Sequence, residues 1–184
     1  LQTHLCEPVF VNRTQKTKAT AAVIGCGLGK KARVIKKYAK TDLPCVIDAD
    51  ALTYLSEKKH MHILHEFSCA VITPHPLEMA RLIGKDVAAV EADRIGTARS
   101  FAAEYGVTVV LKGHHTVIAS PSGITYINTS GNSGLAKGGS GDVLAGVIGS
   151  LLAQGYPALD AAALGVYLHG KAADSLLKKG FSAA

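Results

Sequence analysis

The run "GGSGD" at 138–142 presents a carboxylate directly after a segment almost stripped of side chains: five glycines fall among the eleven residues 131–141. Glycine has no Cβ and tolerates positive φ, so consecutive backbone N–H groups in such a loop can converge on one point, and a helix starting there adds the positive end of its dipole. Gly138, Gly139, Ser140 and Gly141 therefore read as an anion hole, with Asp142 as the proton acceptor beside it. A carboxylate in that position can take the proton of a hydroxyl that attacks a terminal phosphate, which is the chemistry of phosphoryl transfer. The rival reading is a flexible turn in which Asp142 only caps a helix. Two familiar phosphate loops are missing: no GxxxxGK[ST] occurs, and Gly25-Cys26-Gly27-Leu28-Gly29 lacks the final glycine of GxGxxG.

The elements that must hold this loop are legible as apolar runs. Segments 20–25, 45–50, 70–73 and 107–112 read as buried strands, and helical patterns lie between them. Strands without polar alternation, separated by helices, imply βαβ units with helices on both faces of a parallel sheet. Segments 116–120 and 123–128 flank Pro121-Ser122, so an antiparallel hairpin is expected to deliver the chain into the glycine loop. Beyond the loop, Val143, Leu144, Val147, Ile148, Leu151 and Leu152 recur at helical spacing and predict a helix over 140–154, which Gly155 and Pro157 stop. A second helix over about 157–177 follows. Ala145, Gly146, Gly149 and Ser150 line the first helix's other face and allow a close neighbour.

Composition narrows the function classes. The chain has 184 residues, of which 48% are hydrophobic, with a mean hydropathy of +0.21 and no apolar run long enough to cross a bilayer. Neither a disordered chain nor a membrane protein is expected. The net charge is +6, and much of the excess sits in Lys30, Lys31, Arg33, Lys36 and Lys37. Aromatic residues make up only 5% and do not interleave with that run, so a solvated helix face is expected rather than a nucleic-acid surface. Cys6, Cys26, Cys45 and Cys69 are scattered without a CxxC pair, which fits a reducing cytoplasm and argues against zinc.

Other polar residues have bland readings beside functional ones. His75, between Pro74 and Pro76, either lines a site at a strand's carboxyl end or stiffens a strand-to-helix turn. Asp48 and Asp50 end a strand at the same edge; helix capping is preferred there over a phosphate or magnesium role. Lys112 reads as nucleotide-binding or as a snorkelling strand-end lysine. His60, His62 and His65 do not fall on one helical face, so a solvated segment is favoured over a metal site.

Five motifs then carry a family resemblance: "GCGLG" at 25–29, "VIDADAL" at 46–52, "TPHPLE" at 73–78, "LKGHHT" at 111–116 and "GNSGLAKGGSGDVLAG" at 131–146. In that order they resemble the ADP- or ATP-dependent NAD(P)H-hydrate dehydratases. The resemblance implies a ribokinase-like α/β fold, with a mostly parallel sheet between two helical layers. It implies a repair reaction in which the hydroxyl of hydrated NADH or NADPH is phosphorylated and phosphate is then eliminated. By motif match Asp142 is the base and touches the substrate, with Gly27, Gly29 and His75 on the substrate side. Lys112, Gly113, His114, His115, Thr116, Gly138, Gly139, Ser140 and Gly141 hold the nucleotide. Magnesium is expected with ADP or ATP, without an assigned ligand set. A homo-oligomer and a fused or partner NAD(P)H-hydrate epimerase are expected too. Cys26 and Ser133 stand where the family commonly has proline, Leu77 where it has glycine and Leu135 where it has methionine. A single domain over 1–184, incomplete at both ends, is expected. The alternatives are a ribokinase-like kinase such as a hydroxyethylthiazole kinase, or a nucleotide-binding module without catalysis.

Overall fold

The structure of the chain, a computed structural model, describes residues 18–179. Cys6 and the opening stretch for which the sequence supports no element lie outside the described residues. Six strands form one sheet in chain order: β1 (Ala22–Ile24), β2 (Cys45–Ile47), β3 (Ala70–Ile72), β4 (Thr108–Leu111), β5 (Val117–Ala119) and β6 (Thr125–Ile127). The first four are parallel, and β5 and β6 are antiparallel, as the apolar runs and the Pro121-Ser122 turn require. Each strand is a little shorter than the run that announces it. The residues trimmed from the carboxyl ends, Asp48, Thr73 and Lys112 among them, step off the sheet at one edge.

Alternate strand residues serve two cores. Cys45, Ile47, Ile72, Val109 and Leu111 join Ile35, Leu52, Leu55, Met79 and Phe101 on one side of the sheet. Val46, Val71, Val110 and Ile118 join Leu144, Ile148, Leu152 and Val166 on the other. The first side is covered by α1 (Ile35–Tyr38), α2 (Asp50–Leu55), α3 (Pro76–Ile83), α4 (Val87–Ala92) and α5 (Arg94–Tyr105), and the second by α6 (Ser140–Ala153) and α7 (Ala158–Lys178). Three layers result, and the strands read as apolar without alternation because both faces are buried. Small residues set the spacing of the second layer. A Cβ on Gly149 would overlap Val23 Cγ2, and one on Gly165 would lie 2.7 Å from Ile148 Cγ1.

The basic run is solvated as expected, and one other expectation needs correction. Lys30, Lys31, Arg33, Lys36 and Lys37 are exposed, on a 3₁₀ segment (Gly29–Val34) that runs into α1. Among the described residues no helix is long and apolar enough to cross a membrane. The histidine segment, however, is not uniformly solvated. His62 and His65 are exposed, but His60 is buried, stacked on Tyr54 at 3.9 Å, with its Nδ1 3.0 Å from the Tyr54 carbonyl. A 3₁₀ helix (Lys58–Glu66) turns one histidine inward, a rotation that the sequence pattern alone does not specify.

The carboxyl ends of β1 and β2 are locked together by a glycine. Gly25 has φ +133, and a Cβ there would overlap the Asp48 carbonyl oxygen. Gly25→Ala is therefore expected to destabilise the fold by about 3 kcal/mol, from backbone strain and overlap together. The readout is a lower denaturant midpoint at unchanged slope, measured on the full natural protein.

Candidate active site

Asp48 and Lys112 leave the sheet at its carboxyl edge, from β2 and β4 on either side of β3. The Asp48 N–H still donates to the Ile24 carbonyl at 3.0 Å, and the Lys112 N–H donates to the Pro74 carbonyl at 2.8 Å, so both backbones are fixed by neighbouring strands. The Asp48 side chain is 2% exposed and accepts a hydrogen bond from Lys112 Nζ at 2.9 Å. A carboxylate so buried requires a cation, and Lys112 supplies it. Lys112 Nζ also lies 3.7 Å from Glu78 Oε2. Neither Asp48 nor Asp50 caps α2, contrary to the reading preferred from sequence, because the α2 N-cap is Ala49, without a side-chain cap. Asp48 instead pairs across the sheet, and Asp50 Oδ2 accepts the Gly29 N–H at 2.7 Å, tying down the first glycine loop.

The second glycine loop enters above this pair. Gly139 is the α6 N-cap at φ 88, a left-handed conformation that favours glycine. Ser140 Oγ donates to the Leu135 carbonyl at 2.6 Å, which folds the loop onto its own preceding turn. A Cβ on Gly141 would sit 3.5 Å from Lys112 Nζ and 3.7 Å from Asp48 Oδ2, so the first turn of α6 rests directly over the buried pair. First-turn amides have no acceptor within the helix, so this edge receives the positive end of the α6 dipole. Asp142 stands in that turn, exposed.

A cysteine completes the cluster. One ligand atom from each of Cys26, Asp48 and Asp142 lies within 4.8 Å of the other two. Burial first, then hydrogen bonding with Asp142 and the charges of Asp142 and Asp48, push the Cys26 thiol up to about 12. Magnesium prefers oxygen donors in near-octahedral array. Here one carboxylate is committed to Lys112 and one donor is a protonated, soft thiol, so the cluster does not fit a resident magnesium ion.

The remaining expected residues surround this centre unevenly. His75 is the N-cap of α3: its Nδ1 accepts the Glu78 N–H at 3.2 Å, and its own N–H donates to Glu78 Oε2 at 2.8 Å, while the ring remains half exposed. Gly27 and Gly29 have φ 65 and 50 and border open space. His114 and His115 are exposed with ring centroids 3.9 Å apart, and Thr116 Oγ1 donates to the Gly113 carbonyl at 3.1 Å. Gly138 is exposed with nothing beside it.

Three positioning residues escape the sequence reading. Glu78, three residues after an N-cap and two after a proline, carries a capping-box signature that could have revealed it. Arg94 reaches from α5 to donate to the carbonyls of His114 at 2.6 Å and of Leu111 and Lys112 at 3.1 Å, bracing the whole turn. Asp174 on α7 accepts the Gly131 N–H at 3.1 Å and the Asn132 amide at 3.2 Å, which anchors the start of the glycine loop. The Gly131 hydrogen bond, chiefly, holds the Asp174 carboxyl below its usual range. Nothing local in the sequence marks Arg94 or Asp174.

The family model described as NAD(P)H-hydrate dehydratase matches residues 2–183. The chain is 51% identical over 160 residues to the ADP-dependent (S)-NAD(P)H-hydrate dehydratase of Neisseria meningitidis, covering 84% of this chain and 54% of that protein. It is 43% identical over 164 residues to the bifunctional NAD(P)H-hydrate repair enzyme of Escherichia coli, covering 86% of this chain and 30% of the relative. The chain thus spans about half the length of the first relative and less of the second. Among solved structures it is similar to the ADP/ATP-dependent NAD(P)H-hydrate dehydratase of Bacillus subtilis co-crystallised with ATP and Mg2+, with a TM-score of 0.78 and 35% identity over 89% of this chain and 58% of that one. A hydroxyethylthiazole kinase of Pyrococcus horikoshii, at TM-score 0.72 and 22% identity over 87% of this chain and 65% of that one, shares the fold alone. With its ribokinase-like sheet, and with motifs matched along nearly its whole length, this chain belongs to the NAD(P)H-hydrate dehydratase family.

Proposed function

We propose that the protein restores hydrated NADH or NADPH at the expense of ADP or ATP. The observation that carries this reading is the position of Asp142 in the first turn of α6, over the Lys112–Asp48 pair and beside that turn's amides, which have no acceptor within the helix. A proton acceptor and a phosphate site share one helix terminus, which is what transfer of a phosphoryl group to a hydroxyl needs.

In the proposed reaction the substrate hydroxyl oxygen attacks the terminal phosphorus of the nucleotide, and Asp142 takes the hydroxyl proton. The bond from phosphorus to the bridging oxygen breaks, releasing ADP from ATP or AMP from ADP. The ring nitrogen lone pair then expels the new phosphate ester as inorganic phosphate. Loss of a proton from the neighbouring carbon restores the ring double bond. Gly138, Gly139, Ser140 and Gly141 cradle the phosphates with Lys112, the turn of Gly113, His114, His115 and Thr116 flanks the nucleotide, and Gly27, Gly29 and His75 border the hydrated ring. Magnesium enters as part of the nucleotide substrate, bound by its phosphate oxygens.

The setting belongs to the same proposal. The free thiols of Cys26, Cys45 and Cys69 support a reducing, cytoplasmic compartment. The bifunctional name of several relatives supports an epimerase activity beside this one, fused or as a partner. A homo-oligomer completes the proposal.

Two measurements check it. With hydrated NADPH, magnesium and either nucleotide, the full natural protein is expected to restore the near-ultraviolet absorbance of dihydronicotinamide and to release phosphate. Asp142→Asn is expected to lower that rate roughly 10²–10⁴-fold. A stable phosphorylated product without phosphate release would make the protein a kinase instead, and nucleotide binding without turnover would make it a binding module. For the pair beneath the site, Lys112→Met leaves the Asp48 carboxylate buried without its cation and is expected to cost about 3 kcal/mol of stability. The double change with Asp48→Asn should recover most of that loss in denaturant unfolding, as coupled neighbours do.

A further inference from the structure

Cys26 belongs to the central cluster, yet it takes no part in the proposed reaction and is not held by a cation as Asp48 is by Lys112. Its turn is held from both sides: the Leu28 N–H donates to the Gly25 carbonyl at 3.2 Å, and Asp50 holds the Gly29 N–H at 2.7 Å. Gly25 itself is wedged against Asp48, so the backbone beneath the thiol has little room to shift. The side chain packs at the margin of the core that α6 covers, and its Sγ lies within 4.8 Å of carboxylate oxygens of both Asp48 and Asp142.

These two carboxylates have unequal support. Asp48 is buried and satisfied by Lys112, whereas Asp142 is exposed at the third position of a helix, where a carboxylate readily turns back onto the first-turn amides. Those amides are the proposed phosphate site. A base that folds back over them would block the nucleotide and face away from the hydroxyl it must deprotonate.

From this juxtaposition we infer that Cys26 is a positioning residue for Asp142: its S–H, fixed in the Gly25–Gly29 turn, donates to the carboxylate and holds it clear of the first-turn amides. A neutral, weak donor suits the task, since it orients the carboxylate without cancelling the charge that accepts the proton. Burial first, and then the contact with Asp142, raise the thiol and keep the donor proton in place at neutral pH. The inference rests on the proposed role of Asp142, although the contact itself can be tested without turnover.

The experiment uses the full natural protein and the variants Cys26→Ala, Cys26→Ser and Asp142→Asn. Alkylation of Cys26 by iodoacetamide at pH 8.5, followed by mass spectrometry of its peptide, is expected to be slow in the native protein. In Asp142→Asn, which removes the charge facing the thiol, it is expected to be about tenfold faster, as one unit of thiol acidity would give. An unchanged rate overturns the inference. In the repair assay Cys26→Ala is expected to lower kcat about tenfold and to raise KM for the nucleotide, with KM for the hydrated substrate within twofold, and Cys26→Ser, which keeps a donor, to recover most of both. Equal kcat in all three, or a Ser variant as slow as Ala, also overturns it. If the native protein shows no repair at all, the functional proposal fails, and the alkylation comparison alone decides whether thiol and carboxylate are coupled.

Discussion

A lysine ammonium and a carboxylate that is almost wholly out of water organise the carboxyl edge of this sheet. Lys112 and Asp48 come from strands that are not neighbours, β4 and β2, and their 2.9 Å contact spans the end of β3 between them. Once the carboxylate is buried its cation cannot be released without a large penalty, so the ends of the three strands behave as one unit. Glu78 shares the ammonium from the start of α3, and Arg94 holds the carbonyl of Lys112 itself. The turn after β4 and the helix after β3 are therefore both registered to the same charge.

The second layer is built to meet that unit closely. Glycine at 149 lets α6 lie against Val23, glycine at 165 lets α7 lie against Ile148, and glycine at 141 leaves room over the buried pair. The result is a helix whose first turn lies over the same edge where the strands end, which is where open α/β sheets place ligands. Ala49, at φ 48, shows that this edge also stores strain; such a backbone costs about 1–3 kcal/mol and lets the chain turn from Asp48 into α2 within two residues. Asp174 answers from the far helix by holding the start of the glycine loop, so the loop is secured at both ends although its middle is exposed.

Much of this is legible in the sequence. The apolar runs announced the strands because both sheet faces are buried, and helical spacing announced α6 because its inner stripe enters the core that also holds Val46. The site was read less evenly. Asp142 and the glycines stand out in the sequence because the chemistry they suggest is local, a carboxylate beside bare amides. Asp48 and Asp50 were misread as caps because a cap is the only partner a short window of sequence can offer them. His60 was misread as solvated because the direction in which a 3₁₀ turn faces depends on Tyr54 and the core beneath it.

The sequence by itself determined the element types, the order of the strands' apolar runs and the residues able to do chemistry at 138–142, since propensity, periodicity and glycine content act within a few residues of where they are written. Tertiary structure alone decided that Lys112 would spend its charge on a carboxylate 64 positions away, that Arg94 and Asp174 would brace the two loops, and that a thiol would face Asp142. Burial explains the division: a charge or hydrogen-bonding group removed from water must take the partner that the packed layers bring within reach, and that partner is fixed by how the sheet and helices assemble rather than by its place along the chain.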